Sequence, residues 1–249
     1  MHAYIKGGLG DENSKSAGSH FLLGRNLTAG YEGKPYLALK NDLDFKSASL
    51  NGFSGKNAYG LMLHGLTEHF SELTQHFFGC LLKPSLDDKI LKLEKELIFR
   101  SIKNQTEDPT KKLFSHFNKT YFGNFSYAND IHGTKESIKP LVRSKLLNLH
   151  QAHLKKDEIV ISFSGDMDFP RVVYQVQEAL ASLKPRKIRK FKTFIPTLKK
   201  DATHYIPLER EQTHLLYAMK STELNTREEI YLKILTAYLS GQSSELFLE

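Results

Sequence analysis

The chain has almost no cysteine and no long apolar segment. Cys80 is the single cysteine among 249 residues, so the chain can form neither an internal disulfide nor a metal site built from several cysteines. Cys80 lies in the apolar run Phe77 to Leu82, which favours a buried thiol. No stretch of roughly 18 apolar residues is present, and the first residues have no signal-peptide pattern. These absences predict a soluble globular protein without a membrane span.

Acidic residues are missing from one stretch of the chain, between Lys184 and Lys200. This stretch carries eight basic residues, whereas the rest of the chain has 27 basic and 28 acidic residues. The net charge of +7 therefore belongs to this one segment. A run of like charge is typical of a solvated linker, and attraction to an acidic partner surface is the alternative. A nucleic-acid-binding module is a further alternative, although no recognised nucleic-acid motif accompanies the run.

The hydrophobic pattern predicts an α+β fold. Its sheet is expected to be mostly antiparallel, with helices layered on it. Ser85 is predicted to cap the helix with the strongest apolar periodicity. The predicted elements are strands at 4–9 and 158–165 (the latter buried), a hairpin at 48–63, and helices at 21–27, 34–45, 68–82, 85–107, 111–121 and 172–183, with a further helix that starts at Thr134.

Composition divides the chain into three parts. Residues 1–183 are expected to form a complete domain, residues 184–200 the basic linker, and residues 201–249 an incomplete second α+β domain. The last part has 49 residues, which is too few for a comfortable independent core. Its predicted elements are strands at 203–206 and 213–219 and a helix at 227–239.

The stretch from Gly18 to Gly24, Gly-Ser-His-Phe-Leu-Leu-Gly, can be aligned with a metal-binding helix but lacks most of the residues that bind the metal and catalyse the reaction. In the inverted zinc-peptidase motif H-x-x-E-H, the two His bind the metal and the Glu is the general base. In this register the chain has His20, Leu23 and Gly24. One ligand position is kept, whereas the base and the second ligand are gone. A lone His near a helix start is usually structural.

A second group of possible metal ligands lies in the predicted helix at 68–82 and just before it. Its members are His64, Glu68, His69, Glu72 and His76. No two of these His are four residues apart with a Glu correctly placed between them, so a solvated polar face is favoured. The alternative is an active zinc peptidase with non-standard ligands, taken from His64, His69 or His76.

Several short motifs follow one another along the chain. They are Gly7 to Glu12, Gly18 to Leu22, Glu94 with Ser101, Glu107-Asp108-Pro109, Gly133 to Ile138, Gly165 to Asp168, Gln212, Leu239-Ser240-Gly241 and Leu246-Phe247. Each motif is short, but their order and spacing agree over nearly the whole chain. In this order the chain resembles the pitrilysin/insulinase family of inverted zinc peptidases, which includes the mitochondrial processing peptidase.

The resemblance implies a degenerate metal site. Ser101 stands where the family has its third zinc ligand, and Glu94 occupies an accessory carboxylate position. Only His20 is kept, so the chain is expected to have no catalytic residue and to bind no zinc of its own. If the register is correct, the triple variant Leu23→Glu, Gly24→His and Ser101→Glu is expected to gain zinc affinity.

The resemblance also implies a role. Family members often form a chamber from two similar halves, one catalytic and one inert, and each half has two α+β domains. This chain resembles the inert half. It would pair with a zinc-bearing catalytic half, on the same or a separate polypeptide, and help to enclose a peptide substrate. No membrane and no nucleic acid is expected as a partner.

Overall fold

The computed structural model describes residues 1–190, 193–194, 202–208, 212–218 and 221–240. The chain divides into two units, Met1–Phe194 and Ile195–Glu249. Within the described residues, every strand lies in the first unit. No helix in these described parts is long and apolar enough to cross a bilayer.

A four-stranded antiparallel sheet forms the centre of the first unit. The strands in the described residues are β1 (His2–Lys6), β2 (Gly30–Tyr31), β3 (Lys34–Pro35), β4 (Ser49–Ser54), β5 (Ala58–His64) and β6 (Ile159–Ser162). The sheet has the order β4-β5-β1-β6, and β2 pairs with β3 separately. In this register His2 of β1 faces Met62 on one side and Ser162 on the other. Ala3 and Ile5 are fully buried because they point from the inner strand β1 into the core.

Helices of the first unit, α1 to α8 in the list that follows, surround the core of this sheet, whereas α9 belongs to the second unit. The helices in the described residues are α1 (Ser19–Asn26), α2 (Tyr36–Phe45), α3 (Phe70–Leu82), α4 (Asp88–Glu107), α5 (Pro109–Phe122), α6 (Lys135–Ile138), α7 (Arg143–His153), α8 (Phe169–Leu180) and α9 (Arg227–Ser240). Leu22 and Leu23 of α1 and Phe77 of α3 are fully buried in one core with the sheet residues. The predicted α+β fold, with an antiparallel sheet layered with helices, is confirmed.

The cap of α4 differs from the prediction, which placed Ser85 there. The Asp87 carboxylate accepts hydrogen bonds from the backbone N–H groups of Lys89 at 2.8 Å and Ile90 at 3.2 Å. The Ser85 hydroxyl instead donates to the carbonyl of Ala29 at 2.8 Å. Asp87 supplies a negative charge as well as an acceptor, so it also stabilises the positive end of the helix.

The strand predicted as buried at 158–165 is shorter and lies at the edge of the sheet. Among the described strands, β6 pairs with β1 alone. Ile159 and Ile161 pack against the core, whereas Val160 between them is 64% exposed. Antiparallel sheets often face water on one side, so alternate residues of an apolar strand can be exposed.

The second unit is described only in part, and α9 is its one helix in the described stretches. The helix predicted at 227–239 is confirmed by α9. The strands predicted at 203–206 and 213–219 do not form within the described residues, and Met219 itself lies outside them. Strand formation requires a hydrogen-bonded neighbour. Tyr205 and Leu215 are instead 85% and 88% exposed.

We expect Asp87→Ala to lower the free energy of unfolding of the first unit by about 1 kcal/mol, because it removes the cap of α4. Asp88→Ala is the matched control, since it removes the same charge from the exposed first turn and leaves the cap hydrogen bonds in place. Urea unfolding of both variants is the measurement. Equal stability of the two variants would contradict the assignment of Asp87 as the cap.

Candidate functional site

The carboxylate of Glu12 organises the start of α1. Its oxygens accept hydrogen bonds from the backbone N–H of Gly18 at 2.8 Å, the Ser19 hydroxyl at 3.0 Å and the backbone N–H of His20 at 2.7 Å. The first N–H groups of a helix have no partner within it, and this end is partly positive. Gly18 at the N-cap position has no side chain, so the buried Glu12, six residues earlier in the chain, caps the helix instead.

His20, the one motif residue that is kept, belongs to this arrangement. Its Nδ1 lies 2.9 Å from Glu12 Oε1 and donates to that carboxylate. The side chain of His20 is 2% exposed. Its Nε2 is buried and has no hydrogen-bond partner among the described residues. The ring lies edge-on to that of His153, with 4.9 Å between the ring centroids.

The two lost positions of the motif lie against the sheet. Leu23 is fully buried in the hydrophobic core. Gly24 lies so close to β4 that a Cβ atom on it would be 2.6 Å from the carbonyl oxygen of Phe53. Conversely, a Cβ atom on Gly52 would be 1.8 Å from the carbonyl oxygen of Gly24. The helix and the strand can therefore pack at this distance only with glycine at both positions.

The two remaining candidate positions lie on α4. Ser101 is partly buried there, and its hydroxyl replaces the carboxylate that the resemblance places at this position. Glu94 forms an ion pair with Arg25 of α1, in which the guanidinium Nε donates to the carboxylate. The accessory position therefore ties α4 to α1.

The second group of possible ligands is spread over different surroundings. His64 is exposed at the end of β5, and His69 lies 3.5 Å from the Glu68 carboxylate. His76 is buried and its Nδ1 lies 3.0 Å from the Tyr31 hydroxyl, so the prediction of a fully solvated face is wrong at this residue. Across the part of the chain that the structure describes, no three His, Cys, Asp or Glu residues are placed to hold a metal ion.

The residues at the degenerate motif do not fit a zinc ion of the peptidase kind. A catalytic zinc needs about three protein ligands and an open position, and the three neighbouring positions offer an alkyl group, a glycine and a hydroxyl. The space for an imidazole at Gly24 is filled by the backbone of Phe53. The gain of zinc affinity expected of the triple variant Leu23→Glu, Gly24→His and Ser101→Glu would therefore require α1 to move away from β4.

Two further buried imidazoles, of His150 and His153, lie on α7, and neither belongs to a motif that the sequence shows. His150 and His153 are one helical turn apart on α7, which is the signal that could have identified them. Because His150 Nε2 donates to the carbonyl of Leu81 at 2.7 Å, its Nδ1 accepts from the Tyr59 hydroxyl at 3.0 Å. Burial lowers the pKa of His150 to about 4. Burial, and then the proximity of His20, lowers the pKa of His153.

Fold and site together define an α+β protein in which the helix that carries the degenerate motif packs closely on the sheet. Comparisons with known proteins agree with this class. Residues 140–249 match the family described as "Peptidase M16 inactive domain". The predicted relationship to the inverted zinc peptidases is confirmed by this match and by the relatives that follow.

The curated relatives include proteins named as zinc proteases and a subunit of a respiratory complex. An "Uncharacterized zinc protease" of Mycobacterium leprae is 24% identical, over 96% of this chain and 55% of that protein. "Cytochrome b-c1 complex subunit 1, mitochondrial" of Mus musculus is 21% identical, over 72% of this chain and 38% of that protein. The chain thus spans about two fifths to just over half the length of these relatives.

Solved structures show the same fold. A structure described as "peptidase M16 inactive domain from Pseudomonas fluorescens" has a TM-score of 0.71 at 20% identity, and covers 77% of this chain and 47% of that chain. A structure described as "a protease from Helicobacter pylori" has a TM-score of 0.67 at 12% identity, with coverage of 77% and 46%. At these identities the similarity establishes the fold alone.

We expect Gly24→Ala to destabilise the first unit by about 1–3 kcal/mol, because the added methyl group overlaps the backbone of Phe53. In an isolated helix the same change would stabilise the helix by roughly 1 kcal/mol. A loss of stability would therefore identify the contact with β4, and not helix propensity, as the cause. Gly55→Ala is the matched control, since its Cβ atom would meet its nearest neighbour at an ordinary 3.5 Å. Urea unfolding of both variants measures the difference, and a Gly24→Ala variant as stable as the parent would refute the close contact.

The buried His150 should make the first unit less stable in acid. Its pKa is about 4 in the folded protein, against an ordinary value near 6.5 in the unfolded chain. The unfolded chain therefore binds the proton first, and roughly 3 kcal/mol of stability is lost as the pH falls from about 6.5 to 4. Urea midpoints across this range should fall more steeply for the parent than for His150→Gln. The exposed His64→Gln is the control and should keep the parent's slope, whereas equal slopes for all three proteins would count against the prediction.

Proposed function

We propose that this chain is a non-catalytic half of a zinc metallopeptidase, which pairs with an active half and helps to enclose peptide substrates. The observation that carries the proposal is the glycine contact between α1 and β4. At this contact the backbone of Phe53 fills the place that a second zinc-binding imidazole would need, although the fold resembles that of a peptidase domain. The match to an inactive peptidase domain and the similarity to a named zinc protease support it.

Such a half would contribute a surface that binds the peptide, and the active half would contribute the catalytic groups. Two facing halves can surround an extended peptide, exclude bulk water and hold the scissile bond near the metal of the active half. Edge strands offer a peptide free backbone groups. In the described sheet, β4 and β6 are the edge strands, and Val160 on β6 leaves an exposed apolar side chain there. An apolar groove elsewhere is the other way to hold a peptide.

The alternative functions have less support. An active peptidase with other ligands would need a cluster of His, Asp or Glu, and the described residues contain none that could hold a metal ion. A nucleic-acid-binding module would need the basic segment to be free. Arg186 and Arg189 of that segment instead form hydrogen bonds to carboxylates of the first unit.

Peptide hydrolysis by a matched pair of halves tests the proposal. The protein used is the full natural polypeptide that contains this chain, together with a catalytic half that carries an intact H-x-x-E-H motif. We expect this protein alone to hydrolyse no fluorogenic peptide and to raise turnover by the catalytic half roughly tenfold or more, because enclosure positions the substrate.

Two controls make the result specific. A globular protein of similar size and charge should leave the rate of the catalytic half unchanged, and chelation of zinc should abolish turnover in every mixture. Equal rates with and without the protein that contains this chain would refute the partner role. Turnover by that protein alone, lost on chelation, would instead favour the alternative of non-standard ligands.

A further inference from the structure

Residues 184–190 do not form the free linker that their composition predicts. They follow α8 and are bound to the rest of the first unit through Arg186 and Arg189. The prediction rested on the absence of acidic residues within the segment. The structure corrects it, because the acidic partners come from distant parts of the chain.

Every arm of the Arg189 guanidinium has an acceptor. Its Nε donates to both carboxylate oxygens of Glu158, at 2.9 and 3.0 Å. One terminal nitrogen donates to Asp11 Oδ2 at 3.0 Å and the other to the carbonyl of Lys6 at 3.1 Å. Such charge-assisted, multiply bonded pairs are among the stronger hydrogen bonds in proteins, and they fix geometry as well.

The Glu158 side chain is fully buried, whereas that of Arg189 is 27% exposed. Burial alone would raise the pKa of the Glu158 carboxyl, but the hydrogen bonds from Arg189 hold it below its ordinary value. A buried carboxylate that loses its cation is strongly unfavourable. Among the described residues, no other cation lies within hydrogen-bonding distance of the Glu158 carboxylate. The buried carboxylate therefore favours the position that Arg189 has in this structure.

Two further contacts flank Arg189 along the chain. The backbone N–H of Arg186 donates to Asp157 Oδ2 at 2.8 Å, and its guanidinium donates to the carbonyl of Ala152 at 3.2 Å. On the other side, the ring of Phe194 packs in a group of aromatic residues. Its centroid is 5.6 Å from that of Tyr121, 5.0 Å from that of Phe122 and 5.2 Å from that of Phe125.

The segment lies next to the buried imidazoles beside the degenerate motif. A terminal nitrogen of Arg189 lies 3.0 Å from His153 Nδ1, and the His153 ring is edge-on to His20. We propose that residues 184–190 form a strap over the buried His20 and His153 pair, and that Arg189 is the residue that holds the strap in place. Release of Arg189 exposes His153 and frees residues 184–190 from the rest of the first unit. This inference goes beyond the proposed function and does not depend on it.

Proteolysis of the full chain by an endoprotease that cuts only after Lys tests the strap. Arg189→Gln removes the guanidinium but no cleavage site, so cutting after Lys187 and Lys190 should become about tenfold faster. Lys184→Gln is the matched control. It removes the same charge from the same segment, its exposed side chain forms no ion pair with the described residues, and the bond to Pro185 is not a site for this protease.

A second readout separates strap release from general unfolding. Modification of His153 by diethyl pyrocarbonate, located by mass spectrometry, should also become about tenfold faster in Arg189→Gln, while the far-ultraviolet circular dichroism stays that of the parent. If Arg189→Gln does not fold, the Asp11→Asn variant takes its place in both measurements. It removes one ion-pair partner of Arg189, and because the Asp11 side chain is 32% exposed the change should disturb the fold less. Asp11→Asn should accelerate both reactions by a smaller factor. Rates equal to those of Lys184→Gln in the folded Arg189→Gln or Asp11→Asn variant would overturn the proposal.

Discussion

The close packing of α1 on β4 through Gly24 and Gly52 is the contact on which the degenerate site depends. Neither position has room for a Cβ atom, and protein interiors are packed densely enough that a single added carbon is felt. This contact buries Leu23 on the same helix. The glycine at position 24 and the close packing of the helix on the sheet therefore depend on each other, because the backbone of β4 occupies the volume that a larger side chain there would need.

Polar groups fix the position of α1 where apolar packing cannot. The helix start is held by the Glu12 carboxylate, and its side is held to α4 by the ion pair of Arg25 with Glu94. Buried polar groups stabilise a fold only when their partners are present with good geometry. The pairing of His20 with Glu12 satisfies that condition at Nδ1 and not at Nε2. Through Nδ1 the imidazole is part of the same hydrogen-bonded group that caps the start of α1.

The sequence predicts features that repeat locally and misses those that depend on distant partners. Apolar spacing identifies α2, α3 and α9, and the motif register identifies His20 and Gly24 as the positions to inspect. The same local pattern predicts Ser85 as the cap of α4. The hydrogen bond from the Ser85 hydroxyl to the Ala29 carbonyl joins residues far apart in the chain, so the pattern gives no sign of it. It also treats Arg189 as solvated, since Asp11 is 178 positions away along the chain. The overlap at Gly24 is likewise invisible until β4 is placed.

The end of β1 joins the site to the strap. The carbonyl of Lys6 lies within hydrogen-bonding distance of both Arg189 and His153, and a Cβ atom on Gly7 would be 3.0 Å from His153 and 3.1 Å from His20. β1 is also the inner strand that carries the edge strand β6. The Arg189 guanidinium and the edge strand β6 are therefore both hydrogen-bonded to β1, so the residue proposed to hold the strap also contacts the strand next to that edge.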